Sequence, residues 1–194
     1  DAVAIAKIGQ YAENIYFGKP CGLMDQMGSS VGACVAIDFS SPADPVVERV
    51  DYDFTKSGHV LCIVDTGSSH GDLTDDYAAV TREMGAVSAY FGKKFLRDVP
   101  EQRFRAAIPA LRKECGDRAI LRSMHFYSDD RRAAQEAEAL KAGDFDRFLS
   151  LVNASGKSSS LHLQNTWSIA DPKQQAVPLA LAVAEELLDG TGAV

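Results

Sequence analysis

Cysteine, histidine and long apolar runs are all scarce in this chain of 194 residues. Its four cysteines and four histidines are scattered, and the sequence has no Cys-x-x-Cys pair and no His-Glu-x-x-His motif. Disulfide frameworks and zinc sites need closer or more regular spacing, so the pattern favours reduced thiols in a cytoplasmic protein. No apolar run reaches the roughly 18 to 20 residues of a membrane span, and the first residues lack the basic start of a signal peptide.

Positive charge is sparse as well. The 20 lysines and arginines are outnumbered by 27 aspartates and glutamates, which gives a formal net charge of −7 without basic runs. Broad binding to a phosphate backbone needs a basic surface, so nucleic acid is excluded as a partner. Hydrophobic residues make up 46% and charged residues 24%, which is the composition of a folded globular protein with a core.

The spacing of apolar residues predicts an α/β chain of the α+β kind that becomes rich in helix after residue 57. We therefore expect a domain boundary near Ser57, with one domain at 1–57 and a second at 58–194. The nearly continuous apolar run HVLCIVD at 59–65 is predicted to be a buried strand. Helices are predicted at 2–17, 21–30, 72–91, 101–111, 117–141, 145–158 and 173–188, and further strands at 33–39 and 46–53.

The stretch PCGLMDQMGSS at 20–30 is the first candidate site, and Pro20 is well placed to open the helix predicted there. On the predicted helix, Gly22, Asp25 and Ser29 are three and four residues apart, so they share a face with one carboxylate and no bulky side chain. The neighbouring face is apolar and carries Met24, Met27 and Val31. Such a helix suits the close approach of a polar ligand. The alternative is that Asp25 only stabilises the first helical turn through the helix dipole.

The loop after the 59–65 run is a second candidate site, because it holds Asp65, Ser68, Ser69 and His70. Polar groups at the carboxyl end of a buried strand often line a site, but ordinary turn chemistry explains the same residues. Tyr77 follows on the apolar stripe of the next predicted helix. It is either a core tyrosine with a satisfied hydroxyl or a ligand-binding group.

The run PCGLMDQMGSSVG at 20–32 resembles the signature of galactokinases, which are members of the GHMP small-molecule kinase superfamily. The resemblance extends over nearly the whole chain, and Tyr77 stands at the family's spacing, seven residues after His70. Arabinokinases and N-acetylgalactosamine kinases share the PCGxMDQ pattern, so the pattern specifies the chemistry more closely than the sugar. The other similar runs are AEN at 12–14, AIDF at 36–39, VDTGSSH at 64–70, SSLHLQNT at 159–166 and QQAVPLALA at 174–182.

This resemblance implies phosphoryl transfer from ATP, with Mg²⁺, to the anomeric hydroxyl of galactose. It implies that Asp25 lies beside that hydroxyl as a base or a positioning group, that Gly22 lets the backbone approach the sugar ring, and that Tyr77 hydrogen-bonds a sugar hydroxyl. It also implies two α/β domains with the site between them. Residues 1–57 would complete the N-terminal domain, and 58–194 would form an incomplete C-terminal domain of helices and antiparallel strands.

Three parts of the galactokinase pattern are missing from this sequence. The early substrate motif is absent, the phosphate loop with its magnesium-ligating hydroxyl is expected upstream of Asp1, and a late glycine-rich motif is expected after Val194. We therefore expect no metal ligand within the chain, and a segment that is inactive alone and able to self-associate through apolar faces. Two alternatives stay open: a galactose-sensing regulator that has lost catalysis, and a kinase for arabinose or N-acetylgalactosamine.

Overall fold

The computed structural model describes residues 1–19, 21–67, 74–169 and 171–191. Within these ranges the chain forms two compact units. The first unit contains Asp1–Asp53 together with Ala137–Asp144, and the second contains Phe54–Glu136 and the described residues from Phe145 onward. The assignment of 1–57 and 58–194 to two domains of a kinase stays a prediction.

The first unit begins with helix α1 (Ala2–Tyr11), which continues directly into a π-helical turn at Ala12–Tyr16. Asp1 caps α1, because its Oδ1 accepts a hydrogen bond from the amide of Val3 at 3.0 Å. The apolar spacing of this region thus predicted its helical character over 2–17, although not the change to π-helical hydrogen bonding.

Helix α2 (Met24–Val31) packs against α1 and leads into a two-stranded antiparallel sheet. The strands are β1 (Cys34–Asp38) and β2 (Val46–Val50), and their register pairs Ala36 with Glu48. Gly32 and Ala33 connect α2 to β1, with φ angles of 70° and 57°. Positive φ is easily adopted by glycine but uncommon for alanine, so the exit from α2 is a sharp turn.

The core of the first unit lies between the facing sides of α1 and α2. Ala6, Leu23 and Met27 are buried, and the exposed fraction of Met27 is 0%. This packing fixes α2 by one face and leaves Asp25 exposed. The partly buried residues that pack against this core are Val3, Val31, Ile37, Phe39 and Val47.

The regular elements described from Phe54 onward are all helical. A π-helical turn extends the sixth helix and ends at Gln164, which has a left-handed backbone (φ 56°). The helices are α3 (Thr74–Tyr90), α4 (Glu101–Glu114), α5 (Asp117–Lys141, whose last five residues belong to the first unit), α6 (Phe145–Ser158), its extension Ser159–Leu163 and α7 (Ala176–Leu188), with 3-10 turns at Phe54–Lys56 and Leu96–Asp98.

Tyr127 anchors the core of the second unit. Its hydroxyl lies 2.8 Å from the carbonyl oxygen of Val99 and 3.2 Å from that of Leu96, and it donates to these acceptors. Burial, with a smaller effect of the Glu101 charge, raises the pKa of Tyr127 to about 12, so the hydroxyl keeps its proton. The buried residues of this core are Val87, Leu96, Val99, Phe104, Leu111, Ala119, Ile120 and Tyr127.

The helix-rich chain with one antiparallel sheet is consistent with the predicted α+β class. The structure gives α5 and α6 the bounds predicted from spacing, 117–141 and 145–158. In the described part of the second unit, however, no antiparallel strands are formed. None of the helices in the described ranges combines the length and apolar character needed to cross a membrane.

The predicted buried strand at 59–65 is wrong for this structure. The segment has neither helix nor strand, and the exposed fractions of Leu61 and Ile63 are 94% and 93%. A strand needs a neighbouring strand to satisfy its backbone and cover its side chains, and the described residues of this unit provide none. The apolar residues of the run predicted a strand, but a strand also needs a partner, which the local sequence does not specify.

Candidate functional site

The side chain of Asn14 holds the segment that leads into α2. Its Oδ1 accepts a hydrogen bond from the amide of Cys21 at 2.7 Å, and its Nδ2 donates to the carbonyl oxygen of Cys21 at 3.3 Å. Gln10 donates from Nε2 to the same carbonyl oxygen at 3.3 Å. Both backbone polar groups of Cys21 are therefore satisfied by side chains of the first helical region.

Asp25 lies in the first turn of α2 and is exposed. Leu23 is the N-cap of this helix and makes no side-chain capping hydrogen bond. The first amides of α2 therefore attract negative charge, which a carboxylate in the first turn supplies. An exposed Asp25 is also accessible to a ligand, so the geometry agrees with both interpretations of this residue.

Gly22 lies outside α2, which corrects the prediction that the helix starts near Cys21. The helix begins at Met24, so Gly22 does not share a helical face with Asp25 and Ser29. Gly22 is exposed, and a Cβ atom added to it would meet no other atom within 4 Å. Packing within the described residues thus does not require glycine here, and the open space beside its backbone stays available.

The apolar face of α2 also differs from the prediction. Met27 is fully buried and Val31 is partly buried, as expected, but Met24 is 63% exposed and Leu23 takes its place in the core. Leu23, Met27 and Val31 are spaced by four residues and form the stripe that faces α1, whereas Met24 is one position round the helix from Leu23 and lies outside that stripe.

Gln26 connects α2 to both α1 and Cys21. Its Nε2 lies 3.5 Å from Cys21 Sγ, and a Cβ added to Gly9 of α1 would lie 3.3 Å from Gln26 Cγ. Its Oε1 is buried and has no hydrogen-bond partner among the described residues. The two helices therefore approach closely where the candidate segment begins.

Tyr77 is on α3 in the second unit, and it is 56% exposed. The interpretation as a core tyrosine is therefore wrong. A tyrosine hydroxyl can donate and accept hydrogen bonds, so an exposed Tyr77 suits contact with a polar ligand. Gly22 and Asp25 belong to the first unit.

The second candidate loop is described only in part. Asp65 Oδ1 accepts a hydrogen bond from the amide of Gly67 at 2.8 Å, which is the turn chemistry that such sequences favour. The other predicted residues of this loop, Ser68, Ser69 and His70, lie outside the described residues, and so does Pro20, which was expected to open α2.

The second unit contains a partly buried ion-pair network that was not predicted from the sequence. Arg122 of α5 is 2% exposed and donates to Glu83 of α3 and to the carbonyl oxygen of Leu163, both at 3.0 Å. Arg118 donates to the same carboxylate. Burial lowers the pKa of Arg122, and the opposing charge of Glu83 raises it. The only feature of the sequence that indicated this network was the four-residue spacing of the two arginines, which puts them on the same face of α5.

A second buried network surrounds His125 of α5. Its Nδ1 lies 3.0 Å from Ser158 Oγ, and its Nε2 lies 3.4 Å from Asp129 Oδ2. Ser158 Oγ is also 3.2 Å from Nδ1 of His162. Although serine, histidine and aspartate can form a nucleophilic triad, Ser158 is only 3% exposed. The network therefore joins α5 to the end of α6.

The described ranges contain no group of three or more histidine, cysteine, aspartate or glutamate side chains that is able to hold a metal ion. A surface hollow of the second unit is lined by Pro109, Arg112, Lys113, Gly116 and Asp117, none of which is a predicted site residue. The predicted site residues Gly22, Asp25 and Tyr77 are each exposed on their own unit.

Comparison with known proteins gives relatives with one shared name. A galactokinase of Glaesserella parasuis is 30% identical over 162 residues, which is 79% of this chain and 39% of that protein. The human galactokinase is 30% identical over 184 residues, or 93% of this chain and 44% of that protein. A galactokinase of Mannheimia succiniciproducens is 29% identical over 194 residues, or 97% and 46%.

The chain spans about two fifths of the length of these relatives. No family model matches it. The comparisons nevertheless confirm the resemblance predicted from the PCGLMDQ run: this chain is similar, along most of its length, to a segment of galactokinases.

Proposed function

We propose that this chain is part of a galactokinase-type sugar kinase. The parent protein transfers the γ-phosphoryl group of ATP to the anomeric hydroxyl of galactose and releases galactose 1-phosphate and ADP. The observation that carries this proposal is the similarity to galactokinases over 79% to 97% of the chain, which includes the whole PCGLMDQ region in the longest match. The names of those relatives favour galactose over arabinose and N-acetylgalactosamine.

Asp25 is the proposed catalytic residue. In the reaction, the anomeric oxygen forms a bond to the γ-phosphorus while the bond between that phosphorus and the leaving oxygen of ADP breaks. A carboxylate is a much weaker base than a sugar alkoxide, so complete deprotonation before attack is unfavourable. We assign Asp25 the role of orienting the hydroxyl and accepting its proton late in the transfer. Its exposure and its place on a helix that is fixed from the opposite face support this role.

Gly22 and Tyr77 are the proposed sugar-binding residues. The open space beside Gly22 permits the backbone to come close to a sugar ring. Tyr77 is an exposed residue, and its hydroxyl can donate to and accept from a second sugar hydroxyl. Both roles follow from the match to the family's motif.

ATP and Mg²⁺ are the proposed cosubstrate and cofactor of the parent protein. The described residues offer no group of three or more side chains able to hold a metal ion. The resemblance to galactokinases implies that a phosphate loop, expected upstream of Asp1, binds the phosphates and the metal, and we assign no step to the metal here.

The test is a substitution in the parent protein. Asp25→Asn keeps the size of the side chain but removes its charge, and it should lower turnover with galactose at least about 100-fold. Asp51→Asn is the matched control, because Asp51 is an exposed carboxylate of the same unit. ADP release is measured with galactose, arabinose and N-acetylgalactosamine in parallel.

Undiminished turnover of the Asp25→Asn variant removes this residue from catalysis. Phosphorylation of another sugar in preference to galactose changes the substrate, and galactose binding without ADP release identifies a sugar-sensing regulator. The chain alone should show no kinase activity and little ATP affinity, so micromolar ATP binding by these 194 residues contradicts the proposed location of the phosphate loop.

A further inference from the structure

We infer that Asn14 is a positioning residue for the segment that carries Gly22 and Asp25. The inference rests on the proposed function for its catalytic consequence, but the structural part stands on the geometry of the first unit. Asn14 lies in the π-helical turn after α1, seven residues before Cys21. Its role is to hold the backbone of Cys21 in one place and orientation.

The Asn14 amide contacts Cys21 at two points. A primary amide has one acceptor oxygen and one donor nitrogen side by side, and here they face the N–H and the C=O of the same residue at 2.7 and 3.3 Å. A backbone residue held through both polar groups can neither translate nor rotate freely. The second donor to that carbonyl, Gln10 Nε2, strengthens the restraint.

The restraint reaches the site residues through a short connection. Cys21 is adjacent to Gly22 and four residues before Asp25, and Leu23 is buried against α1 between them. Cys21 and Leu23 therefore fix both sides of Gly22, and the direction in which α2 begins is set relative to α1. A positioned carboxylate needs such support, because an error of about 1 Å can reduce a rate about 100-fold.

The asparagine is not explained by its local helix. Asparagine is a poor residue within a helix, since its side chain competes for backbone hydrogen bonds. In this chain the Asn14 side chain instead makes its hydrogen bonds to the backbone of Cys21, seven positions away. Loss of the amide would leave the partly buried backbone groups of Cys21 with fewer partners, so the segment would move rather than the helix.

The first measurement is amide hydrogen exchange, resolved by residue, on this chain. Asn14→Ala removes both contacts, and we expect exchange of the Cys21 amide to accelerate at least 10-fold. Asn14→Asp keeps the acceptor for that amide, so Cys21 should stay protected although the carbonyl loses its Asn14 donor. Asn153→Ala on an exposed turn of α6 is the matched control and should leave Cys21 unchanged. If the Cys21 amide exchanges equally fast in the wild type and in Asn14→Ala, Asn14 does not restrain Cys21.

The second measurement is steady-state kinetics of the parent protein with galactose. Asn14→Ala should lower kcat about 10- to 100-fold while the KM for ATP changes less than about threefold, and Asn14→Asp should give a kcat between those of Asn14→Ala and the wild type. Faster Cys21 exchange with unchanged kcat overturns the positioning role. If the wild-type parent phosphorylates no sugar, the proposed function fails and the catalytic part of this inference fails with it. The exchange result still decides the restraint.

Discussion

Arg122 and Glu83 form an ion pair between α5 and α3, with 3.0 Å between Nη1 and Oε2. The same guanidinium donates to the carbonyl oxygen of Leu163 in the π-helical extension of α6. One buried side chain thus connects three helical regions of the second unit. Because Arg122 is 2% exposed, its charge is stabilised by these partners rather than by water.

Replacing Arg122 should therefore destabilise the second unit. Arg122→Ala leaves the Leu163 carbonyl without this donor and removes one of two arginines from Glu83, and breaking a buried pair typically costs about 3 to 5 kcal/mol. Urea unfolding followed by helical circular dichroism measures the loss. Arg112→Ala is the control, since Arg112 pairs with Asp117 at an exposed position and its removal should change stability little. If both variants lose a similar amount of unfolding free energy, the Arg122 ion pair does not stabilise the second unit more than an exposed pair does.

Met27 should be the most sensitive position of the first unit. Its side chain is fully buried between α1 and α2, so Met27→Ala removes packed atoms and leaves a cavity. The expected cost is about 2 to 5 kcal/mol, measured by denaturant unfolding. Met24→Ala, three residues away and 63% exposed, should cost less than about 0.5 kcal/mol. A larger effect at Met24 would mean that α2 is rotated about its axis.

Stability should fall as the pH is lowered past the ordinary pKa of histidine, because His125 is buried. Burial lowers the pKa of His125; Asp129 raises it, and Arg132 and His162 lower it further. The folded state then binds a proton less readily than the unfolded chain, whose histidine titrates near 6.5. The stability contributed by neutral His125 is fully present above that pH. It is lost as the pH falls from that value to the lower folded-state pKa.

Unfolding free energies between pH 7.5 and 5.5 test this effect of His125. His125→Gln should show a smaller decrease than the wild type over that range, whereas His59→Gln, at an exposed position, should follow the wild type. Identical pH profiles for His125→Gln and the wild type would show that another group causes the dependence.

Asp25→Asn should separate stability from function. The residue is exposed and contributes to the first turn of α2 through the helix dipole, so the unfolding free energy of this chain should change by less than about 1 kcal/mol. The same substitution is expected to lower turnover of the parent at least about 100-fold. A loss of several kcal/mol would identify Asp25 as a structural residue, and the kinetic effect would then have another cause.

Long helices were predictable because their apolar spacing is a local property. The bounds of α5 follow from Asp117, a good first-turn residue, and from Gly143 just after the last turn. The start of α2 was placed too early because a proline at the position of Pro20 commonly opens a helix, whereas the side chain of Asn14 fixes the Cys21 backbone outside one. That contact spans seven residues and has no periodic signature.

The candidate site residues were named from the motif and stay a prediction, whereas the contacts around them had no signal in the sequence. Asp25 and Gly22 stand out in the PCGLMDQ run, but nothing in the sequence connects Gln10 and Asn14 to Cys21. The apolar stripe of α3 left Tyr77 open between a core role and a ligand-binding role, and its 56% exposure in the structure removes only the first. Buried polar networks such as that of His125 and Ser158 join residues 33 positions apart, which periodicity does not detect.

The exposed run from Val60 to Val64 has a practical consequence for anyone who produces these 194 residues alone. Its apolar side chains, with Leu61 and Ile63 almost fully exposed, form a short β-prone stretch that contains no charge and no proline. Such stretches readily pair with copies of themselves and build fibrillar or amorphous precipitates. We therefore expect aggregation of concentrated stocks to begin at these five residues of irregular backbone rather than with unfolding of the helices.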